Sequence, residues 1–128
     1  MKQKRYNMEK EIWKDVPQYE GLYQVSSLGR VRSLDREVVY VDGRVNRFKG
    51  RMLKPCVQHT SGYLYINIKA KKRNIHTLVA MAFLGYRNND RTIVVDHIDN
   101  DRINNNLNNL QVITNRENTS KDRRGGLK

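Results

Sequence analysis

Short alternations of apolar and polar residues dominate the first half of the chain. The alternation over residues 21–34 predicts two short strands around a Ser-Ser-Leu-Gly turn, in which Gly29 can adopt a positive φ. Residues 37–48 have the pattern of a second hairpin, with Asp42 and Gly43 as a two-residue turn. Because strands joined by such short turns pair with each other, this half predicts antiparallel β-hairpins.

A change in the spacing of apolar residues follows the hairpins. A further strand is predicted at residues 63–68, with a basic turn at 69–73 and a return strand at 74–76. The next apolar residues recur at helical spacing, and Gly85 is expected to end that helix. They are Leu78, Val79, Ala82 and Phe83.

The last third of the chain predicts the order strand, loop, strand and helix. Residues 91–97 and 110–115 are the apolar strand candidates, and residues 99–109 form a long polar loop between them. A short charged helix follows, with Thr114 or Asn115 as its N-cap. The complete pattern predicts an α+β fold in which antiparallel β-hairpins come first.

Composition narrows the class of protein. The chain has 128 residues, which is the size of one compact domain, and a mild shift in composition predicts a division into residues 1–54 and 55–128. No apolar run approaches the roughly 20 residues that span a bilayer, and no secretory signal is expected. The single Cys56 excludes an internal disulfide and a zinc site built on paired cysteines. A cytoplasmic protein is therefore expected.

The charge balance favours a nucleic-acid partner. The 25 Lys and Arg residues exceed the 13 Asp and Glu residues, which gives a net charge of +12 and a pI near 10.1. Residues 41–75 hold nine of the basic side chains and a single acidic one, Asp42. Simple solubility and docking to an anionic membrane are the alternatives. Docking is disfavoured because no amphipathic helix with a broad apolar face carries these charges.

Acidic and amide side chains surround one histidine in residues 94–110. Asp96, Asp99 and Asp101 flank His97, and five asparagines follow within residues 104–109. A calcium-binding EF-hand loop does not fit, because a loop counted from Asp99 lacks the required Gly and Glu. Taken separately, asparagines in a loop are ordinary turn formers. Together, the strand-loop-strand-helix order can bring a carboxylate, an imidazole and an amide around one metal-sized space.

Two stretches resemble a known family. The stretches "HTLVAMAFLG" and "VVDHIDNDRINNNLNNLQVITNRENTS", within residues 76–120, resemble the HNH endonucleases found in phages and introns. The stretch "EIWKDVPQYEGLYQVSSLGRVRSL", residues 11–34, is similar to the N-terminal module that often accompanies these nucleases. The resemblance implies a ββα-metal nuclease unit after the hairpins. It also implies that the longer relatives' C-terminal DNA-binding module is missing, since few residues follow Ser120.

The resemblance assigns roles to matching positions. It implies that His97 is the general base and that Asn109 braces the loop which orients it. Asp96 and Asn118 would be the metal ligands, and their oxygen donors suit one Mg²⁺ or Mn²⁺ ion better than zinc. Asn104 and Asn105 also match family positions, where backbone hydrogen bonds are expected.

The resulting hypothesis is a metal-dependent HNH endonuclease that nicks or cuts double-stranded DNA. It would need no small-molecule cofactor and would act as a monomer in a bacterial host, with a protein partner as an option. The alternatives are an inactive DNA-binding regulator on the same scaffold and a nuclease toxin. The basic side chains expected to contact DNA are Arg30, Arg32, Arg44, Arg47, Lys71, Lys72 and Arg73.

Overall fold

A three-stranded antiparallel sheet begins the described part of the chain. The computed structural model describes residues 10–87 and 89–119. Strands β1 (Trp13–Asp15), β2 (Tyr23–Ser26) and β3 (Val31–Ser33) pair in that order. Gly29 has φ +85° in the turn between β2 and β3, so the predicted Ser-Ser-Leu-Gly turn is confirmed. Sequence patterning missed β1, a short edge strand whose existence depends on pairing with β2.

A separate hairpin consists of β4 (Arg36–Val39) and β5 (Val45–Phe48). The predicted two-residue turn at Asp42 and Gly43 is wrong by one residue. The Tyr40 N–H donates to Arg44 O at 2.8 Å and the Gly43 N–H donates to Tyr40 O at 2.9 Å. The loop therefore has three residues, and Gly43 supplies the positive φ of +88° that such a loop requires at its last position.

The next sheet contains β6 (Cys56–Val57), β7 (Leu64–Ile68) and β8 (Lys71–Asn74), paired antiparallel in that order. The expectation of a basic turn at residues 69–73 is wrong. Lys69 and Ala70 alone form the turn, with φ of +50° and +66°, and the three basic residues that follow lie on β8. Neither turn residue is a usual former of left-handed turns, so the sequence did not mark this position.

The second half has the predicted helix-strand-loop-strand-helix order. Helix α1 (Ile75–Phe83) is followed by β9 (Ile93–His97), a 3₁₀ turn (Leu107–Asn109) and β10 (Leu110–Thr114), and residues 115–119 are helical. Thr114 caps this last helix: its Oγ1 accepts the Glu117 N–H at 3.1 Å, and Glu117 Oε1 accepts the Thr114 N–H at 3.2 Å. The α+β prediction is confirmed.

One hydrophobic core connects the two halves of the chain. Val25 and Val31 from the first sheet, and Val16 directly after β1, belong to the same buried cluster as residues of α1 and the 3₁₀ turn. Helix α1 contacts β2, β7 and β10, so it lies between the first sheet and the β9–β10 pair. The predicted division after residue 54 stays a prediction. Within residues 10–87 and 89–119, no helix is long and apolar enough to cross a membrane.

Candidate active site

The candidate site begins at the end of β9, where a carboxylate and an imidazole are both buried. Asp96 is 8% exposed and His97 is 4% exposed. Strand β10 holds them, because its Leu110 and Gln111 pair directly with His97 and Asp96. The Gln111 Nε2 amide donates to Asp96 Oδ2 at 2.8 Å, which fixes the orientation of the carboxylate. A strand pair therefore positions two functional groups on adjacent residues.

A pocket of about 140 Å³ opens beside these two residues. Asp96 and His97 line it together with Asn118, which lies one turn into the final helix. The cap at Thr114 sets where that helix begins, and therefore where Asn118 lies relative to β9. The remaining lining residues are Tyr63, Val95, Asn100 and Arg102. Three of the four side chains that the sequence singled out thus share one cavity.

Asn109, the fourth, lies outside the lining and acts on the loop. Its Oδ1 accepts the Asp99 N–H at 3.1 Å, and its Nδ2 donates to Asp99 Oδ1 at 2.9 Å and to Asn104 O at 2.8 Å. Hydrogen bonds from the backbone of Asp101 and from the amides of Asn104 and Asn109 lower the pKa of Asp99. Asp99 therefore stays ionised as an acceptor inside the loop. This geometry is that of a brace.

Two aromatic rings pack against the imidazole of His97. The Tyr63 ring stacks on it with 5.7 Å between centroids, and the His76 ring lies edge-on at 5.0 Å. Burial, and then the nearby His97, lower the pKa of His76 to about 4. His76 is therefore neutral at neutral pH and packs as an aromatic ring against Tyr63 and His97.

The side chain of Asn105 contacts the imidazole directly. Its Oδ1 lies 2.8 Å from His97 Nε2, and the residue is only 4% exposed. The sequence indicated backbone hydrogen bonds at this position, so the side-chain contact was missed. The loop must fold back over the end of β9 to make it, and no pattern in the sequence encodes that path.

The donor set of the pocket suits a hard cation. Asp96 supplies carboxylate oxygen and Asn118 supplies amide oxygen, whereas no group of three or more His, Cys, Asp or Glu side chains within the described chain could hold a metal ion. Mg²⁺ is commonly held by one or two protein oxygens, with water and substrate phosphate completing its shell. The residues present therefore fit such an ion and do not fit a closed zinc site.

Two family models match adjacent parts of the chain. The NUMOD4 motif matches residues 11–69, and the HNH endonuclease model matches residues 73–120, a segment that contains Asp96, His97, Asn109 and Asn118. The chain belongs to the HNH endonuclease family. The family resemblance predicted from the sequence is confirmed, and family membership implies a divalent metal ion without specifying which one.

Two relatives of the HNH family come from viruses. The chain is 36% identical over 107 residues to DNA endonuclease I-HmuI of Bacillus phage SP01, covering 80% of this chain and 52% of the relative. It is 32% identical over 117 residues to the uncharacterized HNH endonuclease L247 of Acanthamoeba polyphaga mimivirus, covering 88% of this chain and 27% of the relative. The chain thus spans about half or less of the length of these curated relatives.

A solved structure of an HNH enzyme has the same fold. The structure describes DNA binding and cleavage by the HNH homing endonuclease I-HmuI, and it matches with a TM-score of 0.66 at 32% sequence identity. The match covers 90% of this chain and 59% of that chain. It therefore includes both the N-terminal sheets and the HNH unit.

The predicted DNA-binding arginines of the NUMOD4 segment lie on two surfaces. The guanidinium groups of Arg30 and Arg32 lie 5.7 Å and 3.9 Å from the centroid of the Trp13 ring, which places them on one face of the first sheet. Arg30 also forms a bidentate ion pair with Glu11, and this pairing lowers the pKa of Glu11. Both arginines thus have partners on this face of the sheet, and the Arg30 side chain is still 56% exposed.

The other arginines lie on the β4–β5 hairpin and the remaining basic residues on β8. Arg44 pairs with Asp42 at 2.7 Å, and Arg47 pairs with Glu37 at 2.9 Å. On β8, the Lys72 ammonium lies 4.4 Å from the Tyr65 ring centroid, and the Arg73 guanidinium lies 5.6 Å from that of Tyr19. Lys71 is exposed on the same strand.

Arg102 is a pocket residue that the sequence did not single out. It lines the pocket with His97, its guanidinium lies 5.1 Å from the Tyr63 ring centroid, and it donates to the carbonyl of Ser61. A permanent positive charge here suits an anionic substrate group, because guanidinium binds phosphate oxygens well. Its position in a polar, irregular loop carries no periodic signal that could have identified it.

Proposed function

We propose that this protein is a divalent-metal-dependent endonuclease that hydrolyses phosphodiester bonds of double-stranded DNA. The observation that carries the proposal is the shared pocket of Asp96, His97 and Asn118 within an HNH family fold. Aligned relatives whose names include DNA endonuclease activity support the choice of substrate. The net charge of +12 supports a polyanionic partner.

His97 is the proposed general base. Its imidazole would accept a proton from a water molecule as that water attacks the scissile phosphorus. The bond from phosphorus to the 3′ oxygen then breaks and that oxygen takes a proton from solvent, which leaves a 5′ phosphate and a 3′ hydroxyl. Asn109 would hold the loop in the shape that keeps His97 directed at this water. The side chain of Asn109 contacts Asp99 and Asn104 in the loop, so its role would be to brace the loop rather than to react.

Asp96 and Asn118 are the proposed ligands of one Mg²⁺ or Mn²⁺ ion. Such an ion would neutralise negative charge on the phosphate and the leaving oxygen. Gln111 donates a hydrogen bond to one carboxylate oxygen of Asp96. The protein rather than the solvent therefore sets the direction of the other carboxylate oxygen. Arg102 at the rim of the pocket would bind a non-bridging phosphate oxygen and align the backbone.

The basic strands that precede α1 are the proposed DNA-binding surface. The seven predicted arginines and lysines lie on β3 and its preceding turn, on the β4–β5 hairpin and on β8. We propose residues 1–54 as the DNA-binding module and residues 55–128 as the nuclease unit, acting as a monomer inside a bacterial host cell. Contacts from these cations would position the duplex without reading its sequence.

Plasmid cleavage tests the proposal. Supercoiled plasmid is incubated with the protein and Mg²⁺ or Mn²⁺, and nicked or linear product is expected to disappear with EDTA. His97→Ala should lower the rate about 10²–10⁴-fold, because general-base catalysis contributes that much. His59→Ala is the matched control, since His59 is exposed and does not line the pocket, and it should cleave like the wild type.

The same assay separates the metal ligands from the DNA-binding surface. Asn118→Ala is expected to cleave more slowly and to require more metal, while it retards DNA in a gel as well as the wild type does. Retarded but intact DNA with every variant and the wild type would instead identify a DNA-binding regulator on an HNH scaffold. Sequencing the ends of cleaved DNA then reveals the target and whether one or both strands are cut.

A further inference from the structure

A buried amide selects one of the two nitrogen atoms of His97. In a neutral imidazole one nitrogen carries a proton and the other accepts one, and the partner of the first decides which is which. Asn105 Oδ1 lies 2.8 Å from His97 Nε2, and an amide oxygen can only accept a hydrogen bond. The proton therefore belongs on Nε2, and Nδ1 becomes the basic nitrogen.

The buried amide nitrogen of Asn105 indicates that an asparagine is present here because of its contact with His97. Asn105 Nδ2 is buried and has no hydrogen-bond partner among the described residues. Burial of an amide donor without a partner is unfavourable, and such groups persist in native proteins at sites where they serve a function. An apolar residue would fill the same space without that cost but would leave Nε2 without its acceptor.

Asn105 is itself held by the turn between β2 and β3. A Cβ atom added at Gly29 would lie 2.8 Å from Asn105 Cβ and 2.9 Å from Asn105 O, so the turn and the loop are in direct contact there. Two residues further on, the Leu107 N–H donates to the carbonyl of Ser27 at 2.8 Å. The N-terminal sheet thus touches the active-site loop on both sides of residue 106.

The turn is rigid enough to act as a support. Ser26 and Ser27 are completely buried. Ser26 Oγ accepts the N–H groups of Leu28 at 3.2 Å and Arg30 at 3.1 Å, which closes the turn with its own side chain. Because Gly29 also needs its φ of +85°, the turn has both a fixed conformation and a close approach that only glycine permits.

We propose that Asn105 is a positioning residue which fixes the tautomer and orientation of His97, and that the 26–30 turn of the N-terminal sheet holds Asn105 in place. The role of His97 as general base comes from the proposed function, and the present inference rests on it. The NUMOD4 segment then has a second role besides the proposed DNA binding, because its turn holds Asn105 against the general base of the HNH active site.

The first test reads the tautomer directly. Long-range ¹H–¹⁵N NMR spectra of the metal-free 128-residue chain at pH 8 distinguish Nε2-protonated from Nδ1-protonated rings, and His97→Gln assigns the signal. The wild type should be Nε2-protonated. Asn105→Leu should shift His97 toward a mixture of tautomers, and Asn105→Asp, which keeps an acceptor oxygen, should restore the wild-type pattern. This readout does not depend on nuclease activity, so it remains valid if the proposed function fails.

The second readout separates catalysis from binding. Asn105→Leu should lower kcat at least tenfold with KM for DNA unchanged, and Asn105→Asp should recover most of that loss. A mainly structural role would instead lower the melting temperature of both variants without changing the tautomer. A wild-type tautomer together with wild-type kcat in Asn105→Leu would overturn the proposal for this residue.

The third test concerns the supporting turn and has matched controls. Gly29→Ala places a methyl group against Asn105, whereas Gly21→Ala and Gly43→Ala have comparable positive φ values of +78° and +88° with nothing within 4 Å. Only Gly29→Ala should lower kcat tenfold and disturb the His97 tautomer. Ser26→Ala removes the Oγ contacts to the Leu28 and Arg30 N–H groups, and also the one to Glu11, but adds no atoms; it should have the same effect in smaller measure if Gly29→Ala does not fold. Wild-type kcat and tautomer in a folded variant of the turn would show that the turn gives no such support.

Discussion

The β9–β10 loop and the β4–β5 hairpin are similar in length but are fixed in different ways. The loop has little regular structure, yet Asn105, Leu107 and Asn109 within it are buried. The hairpin has complete strand pairing, yet Val41 at its tip is fully exposed and Val39 is 68% exposed. Regular hydrogen bonding therefore does not indicate which segment has a fixed place in the molecule.

The difference comes from what each segment contacts. Side chains of the loop bond to its own backbone, and the backbone of Leu107 bonds to the N-terminal sheet. The hairpin instead has surface ion pairs and cation–π contacts, such as the Arg36 guanidinium 4.8 Å from the Phe48 ring centroid. Such exposed contacts contribute little to stability. An active site needs the first arrangement, and a surface that adapts to a long polyanion is compatible with the second.

The largest expected effect is a difference between two asparagine substitutions. Asn109→Ala removes three hydrogen bonds of a buried side chain and should lower the free energy of unfolding by about 3 kcal/mol. Asn46→Ala, on the exposed hairpin, should change it by less than about 0.5 kcal/mol. Urea unfolding monitored by circular dichroism measures both. Equal losses would show that the loop is no better fixed than the hairpin.

The next effect is a pH dependence of the free energy of unfolding, which comes from His76 beside the candidate active site. His76 has a pKa of about 4 in the folded protein and an ordinary value of 6.5 when unfolded. Between these values the unfolded chain binds more protons, so falling pH favours unfolding, and the full stability is present only above pH 6.5. The wild type should lose about 2 kcal/mol more than His76→Phe between pH 7 and 4.5.

Urea unfolding in EDTA at several pH values measures this difference. His76→Phe keeps an aromatic ring beside Tyr63 and His97 but cannot bind a proton, so effects of other titrating groups cancel in the comparison. His59→Gln serves as the control, because His59 is exposed, and its stability should follow the wild type at every pH. Parallel curves for the wild type and His76→Phe would mean that burial of His76 does not oppose its protonation.

The sequence predicted the parts of the fold whose spacing or turn chemistry is local. The apolar runs of β9 and β10, the helical spacing in α1 and the Gly29 turn were all confirmed. The edge strands β1 and β6 were missed because each is two or three residues long and exists through its neighbour. The Lys69 and Ala70 turn was misplaced because neither residue type favours a positive φ.

The residues of the candidate site can also be separated into those that the sequence identified and those that it did not. Asp96, His97 and Asn118 were found through their order along strand, strand and helix, and they do line one pocket. Their metal-binding and catalytic roles stay predictions until cleavage is measured. Asn105, Gln111 and Arg102 could not be assigned from the sequence, because each role depends on a contact between segments that are distant along the chain or on opposite strands.

A smaller effect is expected at the start of the helix that carries Asn118. Thr114→Ala removes the capping bond to the Glu117 N–H and should cost about 1 kcal/mol of stability. The variant should also need more metal for half-maximal cleavage, because the position of Asn118 depends on where the helix begins. Thr60→Ala, which removes one exposed side-chain contact, is the control and should match the wild type in both measurements. Equal behaviour of Thr114→Ala and Thr60→Ala would show that the cap does not position Asn118.

The smallest expected effect on stability lies in the hairpin, where the charge matters for DNA instead. Arg44→Gln with Arg47→Gln removes two ion pairs between exposed side chains and should change the free energy of unfolding by less than about 0.5 kcal/mol. If both cations contact phosphates, the slope of log affinity against log salt for duplex DNA should become shallower by about 2. Fluorescence anisotropy with a labelled duplex measures that slope. Asp42→Asn with Glu37→Gln is the opposite control, because it releases the same two guanidinium groups and should strengthen binding. Unchanged salt dependence in both double variants would mean that the hairpin's charges form a solvated surface and do not contact DNA.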